Sequence, residues 1–230
     1  MSNIAVIPSA GSGSRFNSPI PKQYLKVLGK ELIVYTLEVF QNCDLIDEII
    51  IPADEKYFLL LNNLKEKYNL SKISKIVRGG KERQNSVYNG ITAKKFDTND
   101  YIIVHDAARP LLSNNLLEIA IKRAYKYDNV VIALKARDTL IKGEINVESY
   151  LERSMIYYAQ TPQIFRYEIL LDSFKKAEKE NYTATDESML VKNAGYEVKI
   201  VEGEFINFKV TEKNDLIFLE KLLIKTSSNI

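Results

Sequence analysis

Short β-branched runs alternate along this sequence with longer segments of helical period, and that alternation restricts the chain to few architectures. Strand-like runs occupy residues 4–8, 48–51, 73–78, 101–105 and 130–135. Between them, Tyr57, Leu60, Leu61, Leu64 and Tyr68 recur at i, i+3, i+4, i+7 and i+11, one face of an amphipathic helix. Leu116, Ala120, Ile121 and Ala124 repeat the pattern after a cap at Ser113 or Asn114. The expectation is an α/β fold: a Rossmann-like, three-layer α/β/α arrangement with a mostly parallel sheet, right-handed crossovers and strand order 3-2-1-4-5.

The alternation stops after Lys135. Residues 136–152 are polar, carry a turn at Lys142-Gly143 and lack a helical stripe. They read as a hairpin-like arm over about 136–153. An isolated two-stranded hairpin is marginal in water, so the arm is a natural dimerisation element. Strand signals return at 155–160, 198–201 and 208–210, with helices near 166–181 and 213–223. No repeat, low-complexity tract or Pro/Gly linker interrupts the chain, which reads as one domain over residues 1–230 with a protruding β-arm.

Composition narrows the function. With 32 basic and 30 acidic residues the formal charge is only +2, which argues against a dedicated nucleic-acid partner. Cys43 is the sole cysteine, so there is no internal disulfide and no cysteine-rich zinc site; it reads as a small buried hydrophobe on a helix. The opening Met-Ser-Asn runs straight into Ile4-Ala5-Val6-Ile7, with no basic leader, and no stretch approaches the roughly 20 apolar residues of a membrane span. The expected setting is the cytoplasm, with no membrane partner.

The loop after the first strand, Ser9-Ala10-Gly11-Ser12-Gly13-Ser14-Arg15-Phe16, brings backbone N–H groups within reach of an anion. It lacks the Gly-Lys-Ser/Thr ending of a P-loop. Phe16 stands where a dinucleotide fingerprint needs its third glycine, and Pro19 and Pro21 forbid an immediate helix. What remains is a phosphate-cradling loop with its own cations: Arg15 as a planar fork and Lys22 as a point charge. The fourth strand ends in His105-Asp106-Ala107-Ala108-Arg109-Pro110. In open parallel sheets ligands bind beyond the carboxyl ends of strands where the order switches, which would set Asp106 opposite the loop 11–22. Asp106 then reads either as a ligand for a hard cation such as Mg²⁺ or as the cap of the following turn. His105, the only histidine, reads as structural and outside the chemistry.

With these segments in hand the chain resembles the 2-C-methyl-D-erythritol 4-phosphate cytidylyltransferases of the non-mevalonate isoprenoid pathway. The likeness runs through Pro21-Lys22-Gln23-Tyr24, residues 79–87, residues 105–110, Asp138-Thr139, Arg153, Thr161-Pro162-Gln163, Thr185-Asp186-Glu187 and residues 207–211. The chain departs from the family's usual pattern at Ser14, Gln84-Asn85 and Phe208, and its arm is a few residues short. The resemblance implies a single nucleotidyltransferase domain that transfers CMP from CTP to the sugar-alcohol phosphate with a divalent cation, and acts as a homodimer. It implies that Arg15 and Lys22 are catalytic. Pro8, Ala10, Gly11, Ser12, Gly13, Gly80, Arg83, Ser86, Asp106 and Ala107 would bind the nucleotide, with Asp106 at the metal. Arg109, Thr139, Arg153, Thr161, Thr185 and Lys209 would meet the acceptor, Thr139 and Arg153 coming from a partner's arm. Ala108, Leu111 and Glu187 favour methylerythritol phosphate over the ribitol 5-phosphate of a related branch. An inactive nucleotide-binding regulatory subunit is a rival of another class. The acceptor is a phosphate monoester, largely dianionic at neutral pH, so the reaction needs charge neutralisation and positioning and no general base.

Overall fold

The computed structural model describes residues 1–11, 16 and 18–227. The central sheet runs in the order β5 (Ile73–Arg78), β4 (Glu48–Ala53), β1 (Asn3–Val6), β6 (Tyr101–Val104), β10 (Tyr157–Arg166), β7 (Asn129–Lys135), β11 (Lys199–Glu202), numbered in chain order. Every neighbouring pair is parallel except the two made by β10, which is antiparallel to both β6 and β7. The inner strands are apolar on both faces because helices cover both. Side chains alternate along a strand. Ala5, Ile49, Ile51 and Ile103 therefore face α1 (Leu32–Gln41), α2 (Phe58–Lys67) and α4 (Asn114–Tyr127). Ile4, Val6, Ile50, Ile102 and Val104 face α3 (Arg83–Ile91), α5 (Tyr167–Glu180) and α6 (Glu187–Asn193). These three layers are the α/β/α arrangement expected from sequence.

The expected order 3-2-1-4-5 holds for its first four strands and fails at the fifth. β10 lies between the fourth and fifth strands of that reading. The reason lies in the connection: the chain leaves β7 through the arm, with no crossover helix, and a return of that kind pairs antiparallel. β10 also runs past the limit expected at Gln160, because the register shift between Ala159 and Gln163 accommodates Pro162, which has no N–H to give a ladder. Residues 208–210, expected as a strand, form none; Val210 is held by one bond from its N–H to Ala108 O, 2.8 Å.

Ser113 is the cap of α4, its hydroxyl accepting from Leu116 N at 3.1 Å. Cys43 is buried as expected but follows α1, which ends at Gln41. Burial pushes its thiol pKa up, so it is an inert packing group. The arm is a separate antiparallel hairpin of β8 (Leu140–Gly143) and β9 (Val147–Leu151). It leaves Ile141, Tyr150 and Met155 exposed, and Ile145 almost entirely so at 93%. A small pair, β2 (Lys26–Val27) with β3 (Lys30–Glu31), packs with Leu219 of α7 (Lys213–Ser227) and with Ala108 and Val210 in a third apolar cluster. Among the described residues no helix is long and apolar enough to cross a membrane.

Candidate active site

Three loops meet beyond the carboxyl ends of β1, β5 and β6, where the strand order switches direction at β1. They enclose a pocket of about 410 Å³. The first loop follows β4 for a further turn of the ladder: Ile7 N donates to Ile50 O at 2.9 Å and Ser9 N to Pro52 O at 2.7 Å. This sets Pro8, Ala10 and Gly11 on the pocket wall. Ser12, Gly13, Ser14 and Arg15 lie outside the described residues.

Lys22 reaches the same pocket from a short 3₁₀ turn, residues Lys22–Tyr24, that starts behind Pro21. Its neighbours staple that turn to the glycine loop. Gln23 Nε2 donates to Ser9 O (2.7 Å) and Gly11 O (2.9 Å), and the buried Tyr24 hydroxyl donates to Ser9 O (3.1 Å). Gln23 was not among the residues expected in the site. Its signal was in the sequence, beside Lys22 in the Pro-Lys-Gln-Tyr run.

The second loop leaves β5 at Gly79 and Gly80. Gly80 N donates to Ser86 Oγ at 3.0 Å, so Ser86 of α3 braces the loop as well as lining the pocket. A Cβ on Gly79 would lie 2.3 Å from that of Ala10, so the two loops touch only because this position is bare. Lys81 and Glu82 complete this wall.

The third loop carries Asp106, which is 7% exposed and lies at the floor with Ala107. Its carboxylate gathers three cations: Arg83 Nε on Oδ1 at 3.1 Å, and Arg109 Nε (3.3 Å) with Lys209 Nζ (3.0 Å) on Oδ2. Burial pushes the Asp106 pKa up, but Arg83, Lys209 and Arg109 together outweigh it and hold it well below the usual carboxylate range. The same Arg83 guanidinium donates through Nη1 to both oxygens of Glu187, each at 2.8 Å. Arg83 therefore lines the pocket with its fork already committed to two carboxylates.

His105 sits behind this floor, completely buried. Its Nδ1 meets Thr161 Oγ1 at 3.1 Å and its Nε2 meets Arg109 O at 3.1 Å. Burial is the main cause that pushes its pKa from the usual 6.5 down to about 4; the Arg109 carbonyl and Asp106 pull the other way, and the Arg109 and Arg83 cations reinforce burial. The native imidazole is neutral, so as pH falls below 6.5 the unfolded chain takes up a proton that the native state refuses until about 4. Stability contributed by neutral His105 is thus complete above that window and lost within it. Denaturant unfolding of the ligand-free protein should show wild type losing about 2 kcal/mol more than His105→Gln between pH 7 and pH 5. Equal losses in the two proteins would contradict a buried neutral imidazole.

The fit of a divalent cation follows from donor chemistry. Among the described residues no group of three or more His, Cys, Asp or Glu side chains could hold one. A carboxylate offers about four lone-pair sites, and three on Asp106 are occupied. The site fits a cation brought in on phosphates and touching one protein carboxylate, and does not fit a resident metal.

The family model for 2-C-methyl-D-erythritol 4-phosphate cytidylyltransferase matches residues 3–225. The chain belongs to this family. It is 41% identical over 223 residues to the 2-C-methyl-D-erythritol 4-phosphate cytidylyltransferase of Clostridioides difficile (strain 630), covering 95% of this chain and 92% of the relative. It is 39% identical over 225 residues to that of Clostridium botulinum (strain 657 / Type Ba4), covering 97% and 98%. Among solved structures, the enzyme of that name from Francisella tularensis superposes with TM-score 0.82 at 31% identity, over 95% of this chain and 98% of that one. The 4-diphosphocytidyl-2C-methyl-D-erythritol synthase from Anaerococcus prevotii DSM 20548 gives 0.83 at 28%, over 96% and 98%.

On the acceptor side of this family's expected site, the residues are dispersed. Arg109 and Lys209 meet at Asp106, and Arg109 Nη1 also donates to Asn207 O at 2.8 Å. Thr161 is buried, its hydroxyl accepting from Asp106 N at 3.1 Å, so it supports the aspartate from behind. Thr185 is exposed, its hydroxyl donating to Met189 Sδ at 3.1 Å. Thr139 and Arg153 lie on the arm and do not line this pocket; Arg153 Nη1 donates to Arg137 O at 3.0 Å. Asn207 was not anticipated: fully buried, it donates through Nδ2 to Thr161 O at 2.8 Å and fastens the segment that carries Lys209.

Proposed function

We infer that this chain transfers CMP from CTP to 2-C-methyl-D-erythritol 4-phosphate, yielding 4-diphosphocytidyl-2-C-methyl-D-erythritol and pyrophosphate. The observation that carries the reading is the convergence, in a member of this family, of Pro8–Gly11, Lys22 and the Asp106 cation cluster on one pocket. An oxygen of the acceptor phosphate attacks the α-phosphorus of CTP, and the bond from that phosphorus to the β-phosphate bridge breaks. The attacking group is already anionic, so the burden on the protein is repulsion between two phosphates. Arg15 and Lys22 are assigned to the triphosphate, with the backbone of residues 10–13. Gly80, Ser86 and Ala107 are assigned to the nucleoside. Arg109 and Lys209, pre-assembled on Asp106, are assigned to the acceptor phosphate.

Mg²⁺ or a similar cation is assigned to the triphosphate, with Asp106 as its protein ligand; bound there it lowers the negative charge the acceptor must approach. The arm, with Ile141, Ile145 and Tyr150 exposed, is assigned to a homodimer in which Thr139 and Arg153 serve the neighbour's acceptor site, as one nucleotidyltransferase domain per chain in the cytoplasm. Nothing in the charge balance, +2 overall, calls for a nucleic-acid partner.

Pyrophosphate release from CTP and Mg²⁺ with methylerythritol phosphate and ribitol 5-phosphate side by side tests the reading. A clear preference for ribitol 5-phosphate would make the acceptor wrong. CTP binding without pyrophosphate from either acceptor would indicate a regulatory nucleotide-binding subunit.

Gly79→Ala supplies a separate check on the nucleotide wall. The added methyl meets Ala10 Cβ and must push the two loops apart, an overpacking that costs about 1–3 kcal/mol. Carried into binding, that cost is about 5- to 150-fold weaker CTP binding by calorimetry, since Ala10 and Gly80 are pocket walls. Unchanged CTP affinity in a folded variant would remove this loop contact from the nucleotide site.

A further inference from the structure

Glu187 opens α6, has no exposed surface and does not line the pocket, yet it is a charged group paired with one that does. Burying a carboxylate costs several kcal/mol unless it is paired and hydrogen-bonded. Folding of α6 does not call for that cost, because Leu190 and Val191 already anchor the helix in the core. The carboxylate spends both oxygens on Arg83 Nη1 and leaves Arg83 Nε for Asp106. Arg83 Nη2 is buried and has no hydrogen-bond partner among the described residues. A guanidinium free to settle would not leave that N–H unpaired, so its orientation is imposed by the two carboxylates. Next along α3, Gln84 Oε1 accepts from Ala184 N at 2.9 Å, a second tie between α3 and the segment before α6.

We propose that Glu187 is a positioning residue for cytidylyl transfer: it holds the Arg83 fork side-on, so that Asp106 receives a single N–H from it and keeps its second oxygen for Arg109 and Lys209. Without Glu187 the fork turns onto Asp106 in the two-pronged geometry that arginine and carboxylate prefer. That displaces Arg109 or Lys209, the cations assigned to the acceptor phosphate. The inference rests on the proposed reaction and adds a residue that touches neither substrate.

The test compares Glu187→Gln, Arg83→Gln, their double variant and Leu190→Ala in pyrophosphate release, with Tm measured for each. Leu190→Ala damages α6 away from the site, and is expected to lower Tm while its folded fraction keeps the wild-type kcat. Glu187→Gln is expected to lower kcat by about 10- to 100-fold, the scale of a misplaced reacting group. The double variant should be no slower than the slower single, because both act through one contact. Wild-type kcat in Glu187→Gln, a loss no greater than Leu190→Ala gives at equal Tm, or multiplicative losses in the double variant would each overturn the proposal. Failure of the wild type to release pyrophosphate is a different result: it overturns the reaction, and the positioning role with it.

Discussion

Asp106→Asn is expected to abolish most turnover and to destabilise the fold together. The amide carries no charge, and its NH₂ must face donors where the carboxylate met Arg83, Arg109 and Lys209 at 3.0–3.3 Å. Removing one partner of a buried ionic group typically costs 3–5 kcal/mol. The lower end, about 3 kcal/mol, applies here, since Arg83 keeps Glu187 and Lys209 is 32% exposed and can turn to water. For a chain of this size that corresponds to a fall in Tm of roughly 6–12 °C. A scanning calorimetry trace unchanged from wild type would show that the three cations do not depend on the carboxylate. The sign with pH follows from the depressed pKa. Its stabilising contribution is complete above the unfolded value of 3.8 and is lost only as pH falls through the lower native value, so neutral and mildly acidic solutions keep it.

Lys22→Ala is expected to leave stability within about 0.5 kcal/mol of wild type, because the side chain is only half-buried, and to remove catalysis. Loss of one stabiliser of developing phosphate charge costs about 2.7–4 kcal/mol of barrier, a factor of roughly 100 to 1000 in kcat. The expectation rests on how this lysine is held. The buried side chains of Gln23 and Tyr24 lock the turn that presents it onto Ser9 and Gly11, so its position is set before substrate arrives. Pyrophosphate release at saturating CTP is the measurement. A rise in KM for CTP with kcat untouched would assign Lys22 to uniform substrate binding and contradict the charge-neutralisation mechanism. His105→Ala, by contrast, should keep the intrinsic chemistry in whatever fraction folds.

How far the fold was legible depended on the pattern each element left. Parallel strands buried on both faces leave apolar runs, and β1, β4, β6 and β7 were read within a few residues, while the half-exposed edge strand β5 was read from its β-branched Ile73, Ile76 and Val77. α2 and α4 were read from one-sided stripes. α1 was expected only as a helix at Cys43, without bounds, because it is apolar nearly all round, with Leu32, Ile33, Val34, Thr36, Leu37 and Phe40 all buried, so no stripe marks it. α3 was missed for the opposite reason: it is polar and contains Gly90, a poor helix former. That glycine lets the helix press on the sheet, where a Cβ would lie 2.7 Å from Val6 Cγ1. In the pocket, the meeting of Pro8–Gly11, Lys22 and Asp106 was legible from strand-end chemistry. Glu187 was visible only as part of a motif, since a buried carboxylate and a solvated one look alike in a sequence.

Local chemistry alone settled the layered α/β class, the break from strand to glycine-bearing loop at Ser9–Gly11 and the acidic end of the fourth strand. These depend on periodicity, glycine and proline geometry and charge within a few residues. Tertiary structure alone decided that β10 would enter the sheet antiparallel beside β6, and that Lys209, Arg109 and Arg83 would converge on one aspartate with Glu187 behind them. Those partners are separated by up to 104 positions along the chain, and only packing brings such distant charges within hydrogen-bond reach.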